Sequence, residues 1–64
     1  MHMTFTDEID MILDLYPRNR WKCLEAVKRI GLTQFVRQAS VNHAYSAFVQ
    51  VVGAYKQEET RGKL

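Results

Sequence analysis

From Gln38 to Tyr55 the chain carries no Asp, Glu, Lys or Arg. The same stretch has no proline, and its single glycine is Gly53. Val41, Ala44, Phe48, Val51 and Tyr55 recur at alternating spacings of three and four, a short heptad seam. Tyr45 and Val52 widen that seam. Ser40, Ala44, Ala47, Val51 and Ala54 form a second ridge of mostly small side chains. At 100° per residue the two ridges cover roughly 200° of a helix, about twice the apolar arc of a surface helix. Such an element needs neighbours on two sides. With Thr33 as its N-cap, the pattern predicts one helix from Gln34 to Glu58, roughly 37 Å long. Ser40-Val41-Asn42 is the place where it could part, because Ser and Asn side chains compete for backbone hydrogen bonds.

Two shorter helices precede it. Ile9, Ile12, Leu13 and Tyr16 follow helical periodicity, which predicts a first helix from about Thr6 to Tyr16. Thr4 and Asp7 have capping-box spacing, and Pro17 ends the helix by disfavouring αR at the residue before it. Asn19 is placed as N-cap of a second helix over Arg20 to Ile30. Its apolar face is Cys23, Leu24, Val27 and Ile30, and Gly31 suits the left-handed position beyond its end. Two helices of about 17 Å laid end to end match one of 37 Å. The expected fold is all-α, with two short amphipathic helices on a long C-terminal helix. Residues 6–58 form the domain, between a flexible N-terminus (1–5) and a flexible tail (59–64). Met1-His2-Met3 reads as a cloning junction ahead of a natural start.

At 64 residues the crude balance of apolar burial against ordering entropy lands near zero. Cys23 is the only cysteine, so neither an internal disulfide nor a Cys-based zinc site can staple the fold. Oligomerisation, or docking on a partner, is the expected remedy, and a second copy is the favoured cover for the long helix. The dimer interface is assigned to Val41, Ala44, Phe48, Val51, Val52 and Tyr55. No apolar run is long enough to span a membrane, and a lone thiol without a signal peptide suits a cytoplasmic setting.

Charge is segregated. Residues 1–16 hold Asp7, Glu8, Asp10 and Asp14 and no base, whereas residues 17–37 hold six cations against Glu25 alone. Arg18, Arg20, Trp21 and Lys22, with Arg29, are the candidates for contact with a partner or a phosphate, since an aromatic among cations suits both. The competing reading is a core Trp21, with the cations solvated or paired to acids of the first helix. Asp7, Asp10 and Asp14 are too few for an oxygen-ligated cation, and no metal or cofactor is expected. Cys23 and His43 lie on different helices with no acid partner evident in the sequence. There is no Gly-rich phosphate loop or nucleophile elbow, so no catalytic residue is assigned.

Ala39-Ser40-Val41-Asn42 resembles the Ala-Gly-Val-Ser stretch of helix-turn-helix repressors. Ser40 stands where Gly is usual, and Ser46 where a buried Val or Ile is expected. That resemblance implies a DNA-binding regulator using residues 33–50, although its recognition helix would lack Arg and Lys until Lys56. In size and general build the chain also resembles the small accessory regulators of phages and plasmids. The expected function is non-enzymatic: a small helical regulator that acts through protein–protein contacts as a homodimer. DNA binding is the alternative.

Overall fold

The computed structural model describes residues 3–64, so the expected Met1-His2 junction lies outside the described residues. Four helices follow one another among those residues: α1 (Phe5–Leu15), α2 (Arg20–Ile30), α3 (Leu32–Asn42) and α4 (Tyr45–Thr60). There is no strand among them. All six helix pairs touch.

The first two helices form where local chemistry directs them. Asp7 N–H donates to Thr4 Oγ1 at 3.1 Å, and Thr4 N–H donates to Asp7 Oδ2 at 3.3 Å. This reciprocal box occupies two backbone donors that the first turn leaves unpaired. Asn19 caps α2 through Lys22 N–H. Gly31 then adopts φ 93°, a conformation in which a Cβ is strained. Its N–H donates to Val27 O at 2.8 Å, and its own carbonyl accepts from Phe35 N–H at 2.9 Å. One residue thus closes α2 and opens α3. Thr33, the expected N-cap, is inside the helix, because Gly31 leaves no room for a separate capping residue.

The single helix expected over 34–58 is two helices. His43 and Ala44 are extended, with φ/ψ of −133°/148° and −67°/154°, and the chain turns back there. Local propensity favours the break. Ser, Val and Asn are middling helix formers, and Ser40 Oγ donates to Arg37 O at 2.9 Å, as serines do where they weaken a helix. Packing supplies the gain. In a straight helix Phe35 and Phe48 would stand about 20 Å apart. In the folded chain their rings meet edge to face, with centroids 6.4 Å apart, and both are buried. His43 Nε2 lies 2.7 Å from Asp10 Oδ1, which ties the turn to α1.

The core is one cluster. Ile9 and Ile12 of α1 meet Cys23, Leu24 and Val27 of α2, Phe35 and Ala39 of α3, and Phe48, Val51, Ala54 and Tyr55 of α4. α4 ends later than expected, at Thr60. Gly62 N–H and Lys63 N–H then donate to the carbonyls of Glu59 and Glu58, and Leu64 packs against the core. The chain exposes 4424 Å². A free monomer of this mass exposes about 4,250 Å². Its Cα radius of gyration is 11.1 Å, where about 10.7 Å is usual for its length. The break in the long helix therefore lets the chain cover itself to the extent ordinary for a single protomer.

Candidate functional site

Two surface regions bear on function. The first is the basic corner between α1 and α2. Arg18 pairs with Asp14, Arg29 Nη2 lies 3.1 Å from Glu8 Oε2, and Arg20 Nη2 lies 2.9 Å from Glu58 Oε2. Three of the five residues singled out in this region therefore face a carboxylate of their own chain. Lys22 has no ion-pair partner among the described residues. Trp21 is 42% exposed, with the Arg20 guanidinium 6.0 Å from its ring centre. The corner is largely neutralised from within, by acids of α1 for Arg18 and Arg29 and by Glu58 of α4 for Arg20. Trp21 itself is not core.

Glu58, expected only as the end of the long helix, is buried. Its side chain is 4% exposed, its Oε2 faces Arg20 and, at 3.8 Å, Arg61, and its Oε1 has no hydrogen-bond partner among the described residues. A signal for it was present. Phe48, Val51 and Tyr55 set a 3-4 spacing whose next member is Glu58, so the acid sits on the buried stripe of α4.

The second region is a cleft between α3 and α4 of about 500 Å³. Leu32 and Val36 form one wall, Tyr45 and Val52 the other, and the edge of Phe48 the floor. Arg37 and Lys56 are exposed on opposite walls. Neither has a carboxylate partner among the described residues, and no acid lines the cleft. Tyr45 is 71% exposed although its ring lies edge-on to Phe48 at 5.7 Å.

The expected dimer seam is divided by this geometry. Phe48, Val51 and Tyr55 are buried in the protomer's own core. Val41 is 70% exposed at the end of α3, Ala44 is exposed in the turn, and Val52 is half-buried on the cleft wall. A heptad seam needs a continuous helix, and the break at His43 turns its two ends in different directions.

A smaller cleft between α1 and α2 is lined by Met11, Ile12, Leu15 and Ala26, with Glu8, Glu25, Lys22 and Arg29 around it. Its charges balance. Asp7, Asp10 and Asp14 serve the α1 cap, His43 and Arg18 respectively. No group of three or more His, Cys, Asp or Glu is placed to hold a metal among the described residues. Cys23 is fully buried, and desolvation pushes its thiol from 9.0 up to about 11, which suppresses the thiolate. His43 gains an acid partner, Asp10, that lies 33 residues away and that spacing rules could not find. No helix among the described residues is long and apolar enough to cross a membrane. Comparison with protein-family models, curated proteins and solved structures finds no match.

Proposed function

We propose that the chain is a small non-enzymatic cytoplasmic protein that acts by protein–protein contact, with the α3–α4 face as its contact surface. The observation that carries this is the open apolar cleft whose walls bear an exposed Tyr45 and half-buried Leu32, Val36 and Val52. An aromatic standing at the mouth of an apolar groove, with cations at its rim, is the usual anatomy of a recognition surface. The proposal moves the contact away from the α1–α2 corner, because internal ion pairs there already engage Arg18, Arg20 and Arg29. The homodimer enters in a weaker form. Only Val41, Ala44 and Val52 of the expected seam are accessible, so self-association is a reversible contact rather than a condition for folding.

The test is affinity capture from an extract of the native host, with wild type, Tyr45→Glu and Trp21→Glu as parallel baits. The expected result is a protein retained by wild type and Trp21→Glu and lost with Tyr45→Glu. Retention that is indifferent to Tyr45→Glu and lost with Trp21→Glu overturns the assignment. Sedimentation velocity on the same proteins measures self-association. A DNA-binding role, the other function considered, predicts affinity that falls steeply with log salt, with a slope near −0.9 per phosphate neutralised.

A further inference from the structure

We infer that the α3–α4 cleft takes an acidic amphipathic helix as its partner; this rests on the protein-binding role proposed above. The charge distribution singles out this cleft. Around the α1–α2 cleft, Lys22 and Arg29 stand with Glu8 and Glu25, and Glu8 already holds Arg29. Around the α3–α4 cleft stand Arg37 on one wall and Lys56 on the other, with no acid between them and no internal partner among the described residues. An apolar trough bordered by cations on both sides matches one class of ligand well. That ligand is an apolar stripe flanked on both sides by Asp or Glu, the surface of an acidic amphipathic helix.

The dimensions agree. The α4 wall runs from Tyr45 to Lys56, so it is about 16 Å long, or three helical turns. A helix of that length offers apolar anchors at i, i+3 or i+4 and i+7, enough to cover Val36, Tyr45 and Val52. A second copy of the chain suits the cleft less well. Face-to-face pairing would bring two Arg37 and two Lys56 into one interface, and the cleft lining supplies no acid to offset them.

The probe is a synthetic peptide of about 14 residues, with Leu or Phe at helical spacing and Asp or Glu on the borders, beside a twin with Lys at every acid. Each is titrated into the isotope-labelled full chain at low salt. Amide shifts locate the site, and anisotropy of the labelled peptide measures affinity. The acidic peptide is expected to bind about tenfold or more tighter than its twin, from two favourable pairs replaced by two repulsive ones. The shifts are expected at Val36, Tyr45 and Val52. Because Arg37 and Lys56 are both exposed, the Arg37→Glu/Lys56→Glu variant keeps its fold, read by its thermal melt, and reverses the preference.

Equal affinity for both twins at this cleft removes the acidic partner and leaves the contact surface standing. Shifts confined to Met11 and Ala26 place the ligand in the other cleft and overturn the inference. So does a dimer, closed through the α3–α4 face, that the peptide does not dissociate. If neither peptide binds and Tyr45→Glu changes nothing in the host-extract capture, both the inference and the function beneath it fall.

Discussion

Arg20→Ala is expected to be among the most damaging surface-side substitutions in the chain, and the reason lies at Glu58. The Glu58 side chain is 4% exposed, and its closest cation is Arg20 at 2.9 Å. Arg61 is the remaining one, at 3.8 Å. Removing one member of a buried ion pair typically costs about 3–5 kcal/mol, because a desolvated charge is left behind. Here the arginine end is 36% exposed and Arg61 stays close, so about 2–3 kcal/mol is the appropriate range. A chain of 64 residues has roughly 3–10 kcal/mol in all. At about 4–8 °C per kcal/mol for a domain this small, Tm should fall by roughly 10–20 °C. Thermal and urea melts by far-ultraviolet circular dichroism read this directly. The control is Arg20→Met/Glu58→Leu, which removes both charges and is expected to melt within a few degrees of wild type. If Arg20→Ala shifts Tm by less than about 3 °C, Glu58 does not depend on Arg20 and the α2–α4 link is misread. A double variant as unstable as the single one would show that the carboxylate is not the source of the cost.

Glycine positions give a paired prediction. Gly31→Ala should cost about 1–2 kcal/mol, because φ is 93° even though no atom crowds the added Cβ, whereas Gly53→Ala, inside α4 with open space around it, should stabilise by about 0.5–1 kcal/mol. Opposite shifts of the urea midpoint check both. Phe48→Asp places a charge in a site 2% exposed in the protomer's own core, so it should unfold the chain at every concentration; a folded, merely dissociated mutant in sedimentation would restore the dimer seam. Cys23 should react with a thiol reagent only at the rate of unfolding. Because the folded thiol titrates near 11 and the unfolded one near 9.0, the unfolded state releases its proton first as pH rises. Stability should then fall between those values by up to about 1.4 kcal/mol per pH unit relative to Cys23→Ala, and an identical alkaline slope in the two proteins would refute it.

Sequence alone determined what neighbouring residues decide among themselves. The α1 capping box, the Asn19 cap, the whole extent of α2 and the end of that helix at Gly31 follow from side chains within four residues of the backbone groups they serve. Those groups meet in any conformation that begins the helix. The greasiness of residues 38–55 was equally plain, and so was its consequence that the segment needs cover on two sides. What covers it was decided only in three dimensions. One candidate was a second copy on an unbroken helix. The structure supplies the chain itself, folded back at His43 so that Phe48 reaches Phe35 and Tyr55 enters the common core. The two arrangements satisfy the same periodicity, and the choice rests on ring contacts across thirteen residues and on the Asp10–His43 tie across thirty-three. The candidate surface has the same origin. Arg37 and Lys56 are unremarkable in sequence, and they border one trough only because that turn sets α3 and α4 side by side.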